Sequence, residues 1–364
     1  MKLPILFVSV ISICILSCTN KEDEDRERLN HIQIIGSHNS YKVEIEQPLM
    51  ALLMEEDPKV LGLDYRHLSI MEQLDLGIRG LELDVLFDPV GGLYQRPLGL
   101  DIIDSLGLKA LPYDPEGELA QPGFKVFHIP DIDFRSHCLT FKGCLSDIKL
   151  WSQANPDHLP IIITINPKNS GVGKPGFTKV ISFSKNVLDS LDQEISGIFD
   201  ASELITPATA TAKGQTLRQT ILAQGWPGLR ASIGKVMFVL DAGASVTQDY
   251  LIDYAGQKPM FVNMSEDHPW AGFFIMNDPI QQEAAIKRLV EQGFMVRTRS
   301  DANTVEARTA DFSRSIAAFR SGAQLISTDY YLQELSPNKD FSITFENGSF
   351  QRCNPILTTD NCSL

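Results

Sequence analysis

His38 and His128 are the residues from which chemistry can be built. Each closes a short β-rich apolar run. Ile32 to Ile35 leads into Gly36-Ser37-His38-Asn39-Ser40, and the run from Phe124 ends in His128. Imidazole has an ordinary pKa near 6.5, so either ring can take or give a proton at neutral pH. Two such rings suit a reaction that needs a base and an acid in sequence. One histidine alone at a strand end is more often a structural hydrogen bonder. The company of an Asn and a Glu-x-Asp pair argues for chemistry instead. Glu82 and Asp84 lie two apart in the run Arg79 to Val85, so they share one face of a strand. With the amide oxygen of Asn39 they are hard oxygen donors, which favour calcium or magnesium over zinc. The bland alternative is a partly buried ion pair of Glu82 or Asp84 with Arg79 or Arg96. A divalent ion there would neutralise phosphate charge and lower the pKa of an attacking hydroxyl.

Further polar groups follow later runs. Asn166, Pro167 and Lys168 end the run from Ile161, and Asp329 ends the run Gln324 to Ser327. Lys168 can hold a phosphate oxygen as a point charge, or stand as a solvated surface lysine. Asp329 is grouped with it at the substrate side of the mouth. If the last strand lies beside the first, Asp329 can also orient His38 by accepting a proton from one ring nitrogen, or it can cap the loop Asp329-Tyr330-Tyr331. Asp301, after Arg297 and Arg299, is a lesser candidate, and Asp131 and Asp133 are loop acids close behind His128. His31, His67, His137, His158 and His268 have no matching partner set and read as structural.

These residues need elements to gather them. Strand-like runs recur at Ile32–Ile35, Arg79–Val85, Phe124–His128, Ile161–Asn166, Val236–Leu240, Met260–Met264, Phe294–Thr298 and Gln324–Ser327. Helical patterns separate them at Leu68–Leu76, Ser146–Ala154, Phe177–Leu191, Ile280–Gln292 and Asn303–Ser321, several closed by a glycine such as Gly77, Gly293 or Gly322. Alternation of strand and helix implies a parallel sheet, and eight strands imply a closed (β/α)8 TIM-type barrel of the α/β class. Catalytic groups in that architecture sit at the C-terminal ends of strands, where Ser37 to Ser40, Glu82 and Asp84, His128, and Asn166 to Lys168 fall. Ser342–Phe345, Asn347-Gly348 and Ser349–Gln351 suggest a C-terminal hairpin extension.

The ends and the charge bound the partners. Leu3 to Leu16 is an apolar run of fourteen residues after Met1-Lys2, shorter than the roughly 20 needed to span a bilayer, so residues 1–17 read as a signal peptide. Ile15-Leu16-Ser17-Cys18 resembles a bacterial lipoprotein signal, with Cys18 lipidated. Residues 18–30 then form a charged tether and 31–364 one folded domain. This predicts an exported protein, anchored by lipid in the cell envelope at the outer membrane, or otherwise secreted. In such a compartment Cys138 with Cys144, and Cys353 with Cys362, can close two small disulfide loops. A net charge of −14 argues against nucleic acid and against electrostatic adsorption to anionic lipid.

At Ile35-Gly36-Ser37-His38-Asn39-Ser40-Tyr41, Gly80-Leu81-Glu82-Leu83-Asp84 and Val126-Phe127-His128-Ile129-Pro130 the chain resembles the calcium-dependent phosphatidylinositol phospholipase C family of bacteria. So do Cys144-Leu145 through Trp151-Ser152 to Pro160, and Ser321-Gly322 to Tyr330. The resemblance spans nearly all of residues 31 to 332. It implies a distorted (β/α)8 barrel, His38 and His128 as the acid–base pair, and Ca2+ held by Asn39, Glu82 and Asp84. It further implies attack of the inositol 2-hydroxyl of a phospholipid on phosphorus, giving a cyclic inositol phosphate. One position departs from the pattern: the family has a Glu at the end of strand four, where this chain has Asn166. An amide still ligates calcium but removes one negative charge, which weakens binding. Two alternatives stand beside this reading. A glycerophosphodiester phosphodiesterase shares the histidines and metal pair, but has His-Arg-Gly where this chain has His38-Asn39-Ser40. A non-catalytic surface lipoprotein would use the mouth to bind a headgroup.

Overall fold

A computed structural model describes residues 27–358 and 362. The signal-peptide, Cys18 and lipid-anchor expectations lie outside the described residues. The fold takes hold earlier than residue 31. Leu29 and Asn30 are buried, and the Leu29 amide donates to the Pro227 carbonyl at 3.0 Å. Among the described residues no helix is long and apolar enough to cross a membrane.

The strands in chain order are β1 (Ile32–Ser37), β2 (Gly80–Asp88), β3 (Gly123–Val126), β4 (Ile161–Pro167), β5 (Leu204–Ile205), β6 (Val236–Leu240), β7 (Met260–Val262), β8 (Phe273–Ile275), β9 (Met295–Arg299), β10 (Leu325–Thr328) and β11 (Gln351–Cys353). Eight of them form one parallel, curled sheet in the order β7-β6-β4-β2-β1-β10-β9-β8, with β5 on the lower edge of β6. No ladder joins β7 to β8 among the described residues, so the barrel is open at that seam. There the Asn263 Oδ1 accepts the Ile275 amide at 3.2 Å and stands in for a missing strand contact.

Two expectations about strands are corrected, and one strand was not expected. The run at Phe124 is not a barrel stave: β3 pairs antiparallel with the outer half of β2, Val126 facing Val85 and Gly123 facing Asp88. Both alternatives are β-rich and apolar, so composition does not tell them apart. The stave that replaces it is β8, three residues long and too short to show a period in sequence. The C-terminal hairpin is absent. Asn347 sits in a one-turn 3-10 helix (Glu346–Gly348), and β11 pairs antiparallel with the lower half of β1. The edge of β1 is free there because β1 and β2 pair only at Gly36 and Gly80.

Helices cover the outer face. Ser69 and Glu72 form a reciprocal cap on Ile70–Leu76, and Thr140 caps Phe141–Ala154. The expected helix Asn303–Ser321 is two pieces, Val305–Thr309 and Ser313–Arg320, broken where Ala310 turns left-handed at φ 51°. Leu81, Leu83, Ile163, Ile165, Phe238 and Leu240 pack outward with Leu145, Ile148, Leu188 and Leu191 of the helices. Strand alternation then turns Glu82, Asp84, Thr164, Asn166 and Val239 into the barrel. Both expected disulfides form, Cys138–Cys144 with Cα atoms 5.3 Å apart and Cys353–Cys362 at 6.1 Å.

Gly36 and Gly80 face each other across β1 and β2 because nothing larger fits. A Cβ on Gly80 would meet the Leu325 Cδ1 at 2.1 Å and the Gly36 Cα at 2.9 Å. Gly80→Ala is expected to destabilise the protein by about 1–3 kcal/mol through overpacking. A urea midpoint equal to that of the unsubstituted protein would contradict this packing.

Candidate active site

The site is the upper interior layer of the barrel. β1 ends on Ser37, and the next three residues are tied across to the neighbouring strands. The His38 amide donates to the Thr328 carbonyl at 3.0 Å, and the Ser40 amide to the Glu82 carbonyl at 3.0 Å. The Glu82 amide in turn donates to the Ser40 Oγ at 2.8 Å. Asn39, between them, is buried and left-handed at φ 51°, a conformation Asn tolerates better than most residues. Its amide nitrogen donates to the Tyr65 hydroxyl at 2.7 Å, which leaves the amide oxygen for another partner.

His38 is held from three sides. Its Nδ1 lies 2.7 Å from the Asp329 carboxylate and its Nε2 lies 3.2 Å from Arg299, whose other nitrogen reaches Asp329 at 3.0 Å. A guanidinium only donates, so Nε2 is the acceptor and Nδ1 carries the proton to Asp329. Burial, then the Arg299 charge, push the His38 pKa well below 6.5, so the ring is neutral at pH 7. Asp329 was grouped with substrate contacts above, yet it is 1% exposed and its two oxygens meet His38 and Arg299. The second carboxylate behind it, Asp301, accepts the Asp329 amide at 2.9 Å and is pushed up to about 7 by burial first and Asp329 next.

His128 owes its place to the antiparallel turn of β3. A parallel stave would carry residue 128 out of the mouth, whereas β3 runs back along β2 and returns it towards Leu83 and Asp84. The bridge between Ile129 and Asp133 then folds Asp133 under the ring, with Oδ2 2.8 Å from Nδ1. The buried Lys42 ammonium pairs with the other oxygen of Asp133. Burial pushes the Asp133 pKa up, but Lys42 and then His128 outweigh it and hold the carboxyl below its ordinary value. Asp131 instead binds Thr178 and the Leu98 amide, at 2.6 to 2.9 Å, and shapes the loop.

Glu82 and Asp84 lie on the shared inner face, and Asp84 stands beside Asn166 in the β2–β4 register. Neither pairs with Arg79 or Arg96. Glu82 is joined to Arg297 of β9, and Asp84 to Lys168 at 2.6 Å and to the Tyr41 hydroxyl at 2.8 Å. Asp84 keeps one oxygen, Oδ1, buried and without a hydrogen-bond partner. That orphaned acceptor, the Asn39 and Asn166 amides and the second oxygen of Glu82 are a donor set that suits a hard cation. Among the described residues no three of His, Cys, Asp and Glu cluster as a metal site, because this set draws on two acids and two amides.

Tyr41, Lys42, Tyr65, Arg297 and Arg299 were missed by sequence reading as members of this site. His67, read as structural, donates from Nε2 to the His38 carbonyl at 2.7 Å, and burial pushes its pKa down to about 4. The one available signal was that Arg297 and Arg299 alternate along a strand otherwise apolar.

Fold and site together define a barrel phosphodiesterase with two carboxylate-backed histidines. The family model described as phosphoinositide phospholipase C, Ca2+-dependent, matches residues 27–355, and the chain belongs to that family. Its fold is similar to the calcium-dependent phosphoinositol-specific phospholipase C of a Pseudomonas species, solved in a myoinositol complex. That likeness has a TM-score of 0.57 at 14% identity over 91% of this chain and 97% of the other. A second likeness is to the Ca2+-dependent phosphatidylinositol-specific phospholipase C of Streptomyces antibioticus, with a TM-score of 0.53 at 17% identity over 83% and 95%. No curated protein matches the chain.

Burial and Arg299 together predict that His38 protonates only well below pH 6.5. Arg299→Leu removes a cation beside the ring and is expected to move that titration upward. An NMR titration of the His38 ring checks both, and a pKa at or above 6.5 in the unsubstituted protein would contradict the geometry.

Proposed function

We propose that this protein is a calcium-dependent phosphatidylinositol-specific phospholipase C that works through a cyclic inositol phosphate. The observation that carries the reading is the pair of histidines, each with Nδ1 held by a buried carboxylate, beside unfilled oxygen donors at the same mouth.

His38 is the base, because burial and Arg299 keep it neutral and Asp329 fixes the tautomer that leaves Nε2 to accept. The inositol 2-hydroxyl takes the place of the Arg299 N–H at Nε2 and gives its proton to that nitrogen as its oxygen bonds to phosphorus. The bond from phosphorus to the diacylglycerol oxygen breaks, and His128 protonates that oxygen. Asp133, ionised through Lys42, stabilises His128 when it carries the extra proton. The products are 1,2-cyclic inositol phosphate and diacylglycerol; with the roles reversed, water can open the ring. Asn39, Glu82, Asp84 and Asn166 would hold calcium, which supplies charge neutralisation at the phosphate and a lower pKa for the attacking hydroxyl. Lys168 is placed to share a phosphate oxygen once its hold on Asp84 loosens.

Phosphatidylinositol vesicles incubated with the domain should yield cyclic inositol phosphate with calcium and none with excess chelator. His38→Ala and His128→Ala should each lower kcat by about 10²–10⁴-fold. Cleavage that persists undiminished in chelator would remove calcium from the reading. The same reading places the enzyme outside the cytoplasm on a lipid at Cys18, supported by the apolar run Leu3 to Leu16 and by the two disulfides. Cys18→Ala should release the full-length chain from the membrane fraction; unchanged sedimentation with membranes would argue against the anchor.

A further inference from the structure

Among the described residues, the mouth holds a carboxylate, Asp241, that no other side chain answers. β6 ends at Leu240, paired with Ile165 of β4, and the next amide, that of Asp241, donates to the Ile165 carbonyl at 2.8 Å. Alternation along β6 puts Met237 and Val239 in the barrel, so Asp241 faces inward one layer above Val239. It therefore stands next to Asn166, which stands next to Asp84. Burial pushes the Asp241 pKa up to about 6, and the charges that act on it next are those of Arg297, Glu82, Asp84 and Lys168. These are the cations and carboxylates of the candidate calcium site.

Charge counting shows why this matters. Glu82 is paired with Arg297, Asp84 with Lys168, Asp329 with Arg299 and Asp133 with Lys42. Those four pairs cancel, Asp301 behind Asp329 has its oxygens taken up by Ser300, Thr328, the Asp329 amide and Arg299, and a mouth so answered has little attraction for a divalent cation. Asp241 is the exception: among the described residues its carboxylate has no hydrogen bond or ion pair. Asn166 beside it is an amide and adds no charge. The oxygens without partners, Asp84 Oδ1 and the Asp241 carboxylate, flank that amide on neighbouring strands.

We propose that Asp241 is a calcium ligand of this enzyme and supplies the net negative charge that lets the site hold the ion. This rests on the calcium-dependent reading of the mouth. As the residues stand, Glu82, Asp84 and Asp241 are not gathered tightly enough to form a three-acid metal site, and Arg297 and Lys168 hold two of them. A bound calcium would draw the β6 carboxylate in towards the oxygens from β1, β2 and β4 as those cations give way. The sequence marks the residue only by its place, one step past the end of an apolar run.

The test is calcium titration of the substrate-free domain by calorimetry, with no turnover involved. Asp241→Asn keeps the size of the side chain and is expected to raise the calcium Kd about tenfold or more. Adding Asn166→Asp to that variant moves the charge to the neighbouring strand and should recover most of the affinity. A circular-dichroism melt equal to the unsubstituted protein guards against a folding artefact. Unchanged calcium affinity in Asp241→Asn, above all with a raised KM for phosphatidylinositol, would overturn the proposal and make Asp241 a headgroup contact. No calcium binding by the unsubstituted protein would instead overturn the calcium reading itself.

Discussion

Charge inside a β-barrel must be answered, because removing an ion from water costs several kcal/mol unless a partner replaces the solvent. The upper interior of this protein is organised by that constraint. Carboxylates from β2, from the loop after β3 and from the loop after β10 meet cations from β1's loop, β4's end and β9. Each pair joins two or more strands, so the pairs act as cross-braces at the open end of a barrel whose ladder is incomplete at β7 and β8. The same pairs hold the chemistry. Asp329 cannot bind Arg299 without also fixing His38, and Asp133 cannot bind Lys42 without fixing His128. Stability and the placing of the two histidines share one set of contacts here, so each ring is held by a carboxylate while it remains about one-fifth exposed.

The antiparallel β3 shows how backbone direction decides function. A (β/α)8 pattern delivers groups upward, at strand ends, from loops that then leave the mouth. By folding back on β2 the chain brings His128 down onto the barrel opening opposite Leu83, within reach of the His38 environment. The disulfide Cys138–Cys144 then staples the segment after Asp133 to the helix Phe141–Ala154, shortening the freedom of the loop that carries the second carboxylate. The first histidine is held by strands and the second by a clamped loop.

Much of this was legible in the linear chain. His38, Asn39, Glu82, Asp84 and His128 are readable because residue type and spacing are local properties, and so are the period-two and helical patterns that imply an α/β barrel. The two disulfide pairs follow from the closeness of their cysteines. What the chain alone left open are properties of pairing. Whether Phe124 starts a stave or a returning strand depends on which edge of β2 is free. Whether Glu82 meets Arg79 or Arg297, 215 positions away, depends on closure of the barrel. Lys42 and Tyr65 look ordinary in sequence because their partners lie on other elements, and Arg297 and Arg299 show only as charges alternating along a strand.

The sequence by itself determined the class of fold and marked out the two histidines and the oxygen donors, since these depend on residue type and on repeat length along one chain. Tertiary structure alone decided the downward shift of the His38 pKa, the carboxylate behind each ring, the open seam and, among the described residues, the acid at the mouth that no side chain answers. Those follow from burial and from distances between strands, and electrostatic energy inside a protein depends on both far more steeply than on separation along the chain.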